Sequence, residues 1–215
     1  MKNSNVDDNE YKKIGHKFLP FIEINYVFLE ETERILFSKH NQEYLIKQVN
    51  RYSFRNINNQ NVHNMVLQNP VTNMFWFFKD SLDTKIYNNH YKTTIKGRNP
   101  LKSAQLKFSG KDRIQERESE YFSSLQLYQH GFKRPINSFI NLYSFEIMNS
   151  RYEIQPNGSC NMSRIDKIQL NTTIENYIFE QSPSMLDNDY ELVVYVENLN
   201  LLKIMSGMAS VAFVS

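Results

Sequence analysis

Few residues in this sequence have the type and spacing that catalysis or metal binding needs. The five histidines are His16, His40, His63, His90 and His130. No two of them form an HxH pair, and none lies in an HExxH motif, so the closely spaced imidazoles that hold a catalytic metal ion are missing. We therefore expect each histidine to be solvated or hydrogen-bonded within the fold, and the sequence predicts no metal site.

The candidate nucleophile and acid–base groups are equally isolated. Cys160 is the single cysteine, it has no CxxC partner, and no activating base is near it in sequence, so we expect a small buried apolar side chain. Glu116, Glu118 and Glu120 fall in a predicted helix, where a spacing of two places them on different faces. No GxSxG motif or glycine-rich phosphate loop occurs. The sequence thus predicts no enzyme, and no catalytic, cofactor-binding or metal-binding residue.

The net charge bears on whether the protein binds nucleic acid, and the cysteine content bears on the compartment in which it folds. The net charge of the 215 residues is +2, too small a bias to indicate nucleic-acid binding. Basic residues cluster between 92 and 113: Lys92, Lys96, Arg98, Lys102, Lys107, Lys111 and Arg113. We expect a solvated loop there that runs into a strand, and the alternative is a patch that contacts an anionic surface. One cysteine cannot form an intrachain disulfide, which is typical of a reducing compartment.

We expect neither a secretory signal near the start of the sequence nor a membrane span near its end. Residues 1–17 are polar and charged and predict a flexible lead-in, whereas 18–215 predict a single domain. The most apolar segment, 201–214, contains Lys203 and is shorter than the ~20 residues of a membrane helix. We expect it to be a buried strand.

The hydrophobic pattern predicts an all-β fold, because apolar runs rich in Phe, Tyr, Ile and Val recur without a βαβ rhythm. Helical inserts are expected near 30–40, where acids precede bases, and near 112–126, where Asp112 could cap a helix. Strands are predicted at 21–28, 44–54, 62–67, 71–78, 104–108, 139–148, 165–174, 192–196 and 201–213, around tight turns at 69–70 and 156–158. About eight strands with long connections favour an eight-stranded antiparallel jelly-roll sandwich.

One run stands out within this pattern. Met74-Phe75-Trp76-Phe77-Phe78 is apolar at every position, so both faces of its strand should be buried. Trp76, the only tryptophan, is therefore predicted to be a core anchor and not a platform for a ligand.

Several segments, in order along the chain, resemble the C-terminal jelly roll of the major capsid proteins of nucleocytoplasmic large DNA viruses. They cover about nine-tenths of the chain and comprise residues 26–34, 42–46, 69–77, 106–113, 120–122, 128–130, 141–145, 155–166 and 200–208. The most specific are Asn141-Leu142-Tyr143-Ser144-Phe145 and Gln155-Pro156-Asn157-Gly158-Ser159-Cys160-Asn161-Met162-Ser163-Arg164-Ile165-Asp166.

This resemblance implies a structural capsid protein that works by shape and self-association. In the family, two jelly rolls stand side by side in one chain, and three chains form a trimeric, pseudo-hexameric capsomer of an icosahedral shell. The implied partners are other copies of the capsid protein and minor capsid proteins, without specific nucleic acid, and the implied location is the virion, assembled in the host cytoplasm. Arg164 and Asp166 would form a buried or interfacial ion pair, or would be two solvated residues at a strand end.

The sequence begins just before the second jelly roll of that pattern, so a fragment, a split gene and a diverged paralogue all stay open. A single-jelly-roll minor capsid protein at a vertex is one alternative function. A jelly-roll carbohydrate-binding or attachment module is another, for which the polar loops at 56–61 and 79–100 would supply the contacts. Contact with an inner membrane or a glycan is also left open.

Overall fold

A computed structural model describes residues 21–80, 93, 98–133, 139–147, 155–175, 190–206 and 208–213. Within these residues the chain folds into two antiparallel sheets that face each other across one hydrophobic core. The predicted all-β antiparallel jelly-roll class is confirmed. Eight strands form two four-stranded paths, and two short strands, of two and four residues, are added to the first sheet.

The strands in chain order are β1 (Gln42–Phe54), β2 (Gln60–Met65), β3 (Pro70–Asp80), β4 (Leu101–Phe108), β5 (Lys111–Glu118), β6 (Asn141–Ser144), β7 (Cys160–Asn161), β8 (Ile168–Ile174), β9 (Tyr190–Met205) and β10 (Met208–Val211). The first sheet has the order β1-β9-β3-β6, with β10 paired to β9 and β7 paired to β3. The second has the order β2-β8-β4-β5. Most consecutive strands lie in different sheets, as in a jelly roll.

Helices occupy two places. The α-helix α1 (Glu31–Lys39) precedes β1, and a π-helical turn (Tyr121–Leu125) runs into the α-helix α2 (Gln126–Gln129) between β5 and β6. A 3₁₀ turn (Met162–Arg164) follows β7. The helix predicted near 30–40 is confirmed, with a capping box between Glu30 and Glu33.

The core lies between the inner faces of the two sheets. Trp76 is 1% exposed and packs on Phe122 of the π-helical turn, with ring centroids 5.1 Å apart. Its neighbours in the core cluster include Met74, Phe78, Leu106, Leu170, Leu192 and Val194. The prediction that Trp76 is a core anchor is confirmed.

The first sheet is also covered on its other face. Leu142 and Val193 are fully buried there, and the Phe75 ring meets the Phe132 ring edge-on at 5.5 Å. Leu127 of α2 is buried as well. The inner face of the β3 run is fully buried, as its apolar sequence predicts, whereas Phe75 and Phe77 on the outer face are half-buried.

The prediction of a helix from Asp112 is wrong in its first half. Residues Lys111–Glu118 form β5, which pairs with β4 through a two-residue turn. Ser109 and Gly110 both have positive φ, 47° and 81°, and this backbone favours a tight hairpin over a helix start. The helical insert begins after β5, and Glu116 and Glu118 consequently lie on a strand.

Four predicted strands also differ from the structure. Residues 21–28 pair with no strand among the described residues and are exposed. The segments 192–196 and 201–213 are not two separate strands, because β9 runs unbroken from Tyr190 to Met205 and a turn at Ser206, with φ 51°, starts β10. Within the predicted strand 139–148, the strand β6 covers Asn141–Ser144, while 148 lies outside the described residues.

Candidate assembly surfaces

The histidines do not form a site in the described part of the chain. His63 of β2 is buried, with its Nε2 atom 3.1 Å from the Thr172 Oγ1 atom of the neighbouring β8, and its ring lies 4.8 Å from Phe54. Burial lowers its pKa from 6.5 to about 4. His63 is thus a neutral, hydrogen-bonded part of the core edge, as expected of a structural histidine.

The other histidines lie apart from it. Burial lowers the pKa of His130, partly opposed by the negative charge of Glu146. His40 caps the C-terminal end of α1 and is exposed, and His16 and His90 lie outside the described residues. No group of three His, Cys, Asp or Glu side chains in the described ranges has the geometry of a metal site.

The Cys160 thiol and the three predicted glutamates lie in different parts of the fold. Cys160 is in β7, whereas Glu116, Glu118 and Glu120 lie at the end of β5 and just after it, where they line one pocket with Tyr121, Leu125 and Tyr128. Cys160 is half-buried in β7, and burial raises its pKa while the nearby Arg113 opposes that shift, so its protonated form predominates at neutral pH. Glu116 accepts a hydrogen bond from the Ser103 hydroxyl of β4. Glu118 and Glu120 are exposed. Arg164 and Asp166 are both exposed, and no ion pair joins them in the described structure.

The basic stretch is divided between several environments. Arg98, Lys102 and Lys111 are exposed, and Lys107 pairs with Asp112 at 3.6 Å across the β4–β5 hairpin. Arg113 lies over the Phe145 ring, 5.9 Å from its centroid. Lys92 and Lys96 lie outside the described residues. No helix among the described residues has the length and hydrophobicity to cross a membrane.

A polar groove of about 400 Å³ crosses the outer face of the second sheet. Amides, hydroxyls and one carboxylate line it: Gln60, Asn61, Ser103, Gln105, Glu116, Asn171, Thr172 and Thr173. The Asn171 amide donates to Gln105 at 3.2 Å, and the Gln169 amide of the same strand donates to Asn64 at 3.0 Å. This face offers hydrogen-bond donors and acceptors at fixed positions.

A charged cluster spans the outer face of the first sheet. The Lys47 ammonium of β1 lies 3.8 Å from a Glu146 carboxylate oxygen and 3.7 Å from one of Glu197. Asn73 donates to the second oxygen of Glu197 at 2.8 Å. The cluster ties β1, β9 and β3 to the segment that follows β6, and its chemistry is that of a structural network.

The exposed apolar residues concentrate before β1. They are Phe21, Ile22, Ile24, Tyr26, Val27, Phe28 and Leu29, followed by Ile35, Leu36 and Phe37 of α1, which has no buried residue. A second exposed group lies near the chain's other end, with Met205, Met208 and Phe213. Sequence reasoning missed this surface, because an alternating apolar pattern is the same for a core strand and for a strand that meets another subunit.

The family model and the individual relatives that match this sequence are all viral capsid proteins. Residues 33–210 match the model of the large eukaryotic DNA virus major capsid protein. Probable capsid protein 4 of Acanthamoeba polyphaga mimivirus is 31% identical over 214 residues, covering 93% of this chain and 40% of that protein. The major capsid protein of Chrysochromulina ericina virus is 40% identical over 117 residues, covering 54% of this chain and 19% of that protein.

The fold agrees with these sequences. A quasi-atomic model of the PBCV-1 virus capsid aligns with a TM-score of 0.71 at 24% identity, covering 88% of this chain and 56% of that chain. The Faustovirus major capsid protein aligns with a TM-score of 0.64 at 12% identity, covering 82% of this chain and 36% of that one. The chain thus spans only about half or less of the proteins that it matches.

Proposed function

The chain belongs to the large eukaryotic DNA virus major capsid protein family, and we propose that it is a structural building block of an icosahedral viral shell. The observation that carries this proposal is the family match over 33–210 together with the two-sheet jelly roll that those residues form. Relatives named as capsid proteins and solved virus capsids support it. The protein would act through shape and contacts between subunits.

We propose the following place in the shell. Residues 18–215 form one jelly-roll domain behind a lead-in of residues 1–17. Two jelly rolls per subunit and three subunits build a trimeric, pseudo-hexameric capsomer, with minor capsid proteins as further partners. The chain covers 40% of its mimivirus relative, which supports a contribution of one jelly roll out of two. Assembly would take place in the host cytoplasm.

We also propose that the function involves no catalytic residue, cofactor or metal ion. His63 is neutral and hydrogen-bonded within the sandwich, the pKa of Cys160 is raised, and the charged cluster at Lys47 is held in structural ion pairs. These groups support the fold.

Quantitative mass spectrometry of purified virus particles tests the capsid role. We expect the chain among the most abundant particle proteins, since a shell component is present in many copies. Its absence from particles of a virus that expresses it in infected cells would overturn the proposal.

Light scattering on the purified chain separates the two kinds of capsid subunit. A domain that needs a second jelly roll should give a monomer or a mixture of sizes, because obligate interfaces bury about 2,000 Å² or more and part of that partner is lacking. A sharp trimer at all concentrations would contradict this. A sharp pentamer would instead favour the single-jelly-roll vertex protein.

The polar groove favours carbohydrate attachment as a second candidate function. The groove between β2 and β5 holds amide side chains and the Glu116 carboxylate at fixed positions. These groups can form hydrogen bonds with the hydroxyl groups of a sugar. A glycan array decides: binding that is lost in Gln105→Ala and kept in Gln129→Ala, an exposed glutamine on α2, would support attachment. An array without binding would exclude it for the glycans tested.

A further inference from the structure

Residues 121–132, here called the lid, lie between β5 and β6 and cover one edge of the first sheet. They comprise the π-helical turn, α2 and the turn that follows α2. We propose that the lid detaches from the sheet when the solution becomes acidic, and that protonation of His130 releases it. This property goes beyond the capsid function proposed above and does not depend on it.

β6 is an edge strand that is nevertheless buried. It stands last in the order β1-β9-β3-β6, and all four of its residues, Asn141–Ser144, are buried. One side of its backbone pairs with β3, and the other side has no strand partner among the described residues. Backbone groups at such an edge pair with other chains unless something covers them. The π-helical turn and α2 both contact β6, so the lid provides this cover.

A side chain of the lid takes the place of the missing strand. Gln126 is buried, and its Oε1 atom accepts a hydrogen bond from the Ser144 backbone N–H at 3.3 Å. The Nε2 atom of the same amide donates to the Tyr121 hydroxyl at 3.1 Å and to the Gln129 side chain at 3.2 Å. Gln126 therefore ties the edge of β6 to both helical parts of the lid.

Two ring contacts hold the lid at its ends. Phe122 is 1% exposed and packs on Trp76, with ring centroids 5.1 Å apart. After α2, the Phe132 N–H donates to the Leu127 carbonyl at 2.8 Å, and the Phe132 ring meets Phe75 edge-on. A segment held by a few contacts can open locally at a lower free energy than the whole fold. The lid is thus a unit that can detach while the sandwich stays folded.

His130 is the buried imidazole of the lid. Its Nδ1 atom is buried and has no hydrogen-bond partner among the described residues. Burial lowers the pKa of His130, and the negative charge of Glu146 only partly opposes this shift. Of the other titratable groups in this part of the chain, Tyr121 is hydrogen-bonded within the lid, and Tyr128 and Lys133 are exposed. The closed lid therefore accommodates the neutral imidazole.

The charged groups on the sheet do not offset the cost of a proton on His130. Glu146, which follows β6, is the carboxylate that acts on this imidazole, and it already lies 3.8 Å from the Lys47 ammonium of β1. Lys47 also lies 3.7 Å from Glu197 of β9. A protonated His130 would be a second cation beside a carboxylate that already has one, in a place where water cannot solvate it.

The sign of the pH effect follows from these positions. When the lid is open, the imidazole is solvated and has its ordinary pKa of about 6.5. Because the pKa in the closed state is lower, the open state binds more protons below about pH 6.5, and acid shifts the equilibrium towards it. An open lid leaves the Ser144 N–H free to pair with another chain. Acid thus converts a capped edge into one that can bind a strand.

Hydrogen–deuterium exchange, measured by mass spectrometry at about pH 7.5 and about pH 5.5, tests the lid on either side of the ordinary histidine pKa. The rates are corrected for the intrinsic pH dependence of amide exchange, and the central strand β4 is the internal reference. We expect residues 121–132 and 141–144 to lose protection severalfold relative to β4 at the lower pH. Equal protection at both pH values would overturn the proposal.

Two histidine variants assign the effect. His130→Gln cannot gain a proton, so its lid should show no change between the two pH values. His63→Gln should respond as the parent does, because burial keeps His63 neutral down to about pH 4. A response in His130→Gln equal to that of the parent, or its loss in His63→Gln, would overturn the assignment.

A further variant tests the contact with β6 without any titration. Gln126→Ala removes the hydrogen bond to Ser144, and we expect the lid to open already at neutral pH. The emission of Trp76, the only tryptophan, should then shift to the red, because its ring loses the cover of Phe122. Gln129→Ala removes an exposed glutamine of the same helix and keeps that bond, so its emission should match the parent's. An unshifted emission maximum in Gln126→Ala would overturn the proposed contact.

Discussion

Gly158 lies directly against the backbone carbonyl of Phe145, so that a Cβ atom at position 158 would be 2.8 Å from that oxygen. Its φ of 109° belongs to the region that side chains rarely adopt. The Ile147 N–H donates to the Asn157 carbonyl at 2.8 Å, which holds the 156–159 segment against the chain that continues from β6. This close approach and the positive φ explain the glycine at position 158.

Gly158→Ala should therefore destabilise the fold more than the same change at another left-handed glycine. We expect a loss of about 3 kcal/mol, from backbone strain and the overlap with Phe145. Gly110→Ala is the control: its φ is 81°, but nothing lies within 4 Å of the added methyl, so about 1 kcal/mol is expected. Equal losses in urea denaturation would show that the close approach does not matter.

Trp76→Ala should cost about 3–5 kcal/mol, as truncation of a fully buried tryptophan leaves a large cavity. It also removes the ring contact with Phe122 that fixes the π-helical turn. Tyr128→Ala on the exposed side of α2 should change the free energy of unfolding by less than about 0.5 kcal/mol. Chemical denaturation measures both, and a midpoint for Trp76→Ala equal to that of the parent would contradict the core assignment.

The core strands could be predicted from the sequence because their signal is local. The Met74–Phe78 run has no polar position, and a strand buried on both faces is the arrangement that it fits best. β8 alternates from Ile168 to Ile174, and its burial alternates in the same way. Where the burial of side chains decides whether a segment is a strand, its pattern of apolar residues is enough to predict that strand.

The structures of residues 21–28 and of the β4–β5 hairpin could not be predicted, because contacts outside each segment decide them. Phe21–Phe28 alternates like a core strand, yet no edge of its own sandwich is paired with it in the described structure. In β5, charged residues dominate because it is an edge strand, so the sequence lacks an apolar period and Asp112 could be taken for a helix cap. The Ser109–Gly110 pair, which forms the tight hairpin turn, indicates a strand after it more strongly than Asp112 indicates a helix.

Stability should depend on pH through His63. Its pKa is about 4 in the folded protein against 6.5 in the unfolded chain, so the unfolded chain binds more protons between these values. Stability is fully present above about pH 6.5 and is lost as the pH falls towards 4, by roughly 3 kcal/mol. In His63→Gln, the denaturation midpoint should therefore depend less on pH over this range than in the parent. The same dependence of the midpoint on pH in His63→Gln and in the parent would refute the assignment.

Burial, and not distance, should decide which ion pair stabilises the sandwich. Lys47 lies 3.8 Å from Glu146, whose side chain is only 4% exposed, and it also faces Glu197. Lys47→Met removes the cation from a buried carboxylate, and we expect a loss of about 1–2 kcal/mol, less than for a fully buried pair because Lys47 is 40% exposed. The Lys203–Glu43 pair is shorter, at 2.9 Å, but both partners reach solvent.

Lys203→Met is therefore the matched control, with an expected loss below about 0.5 kcal/mol. Urea denaturation of the two variants at low and high salt gives the comparison. Salt should weaken the Lys203 effect more than the Lys47 effect, because solvent ions screen exposed charges better than buried ones. A larger loss for Lys203→Met would mean that the short surface pair, and not the buried cluster that joins β1 to β9 and the end of β6, holds this side of the first sheet together.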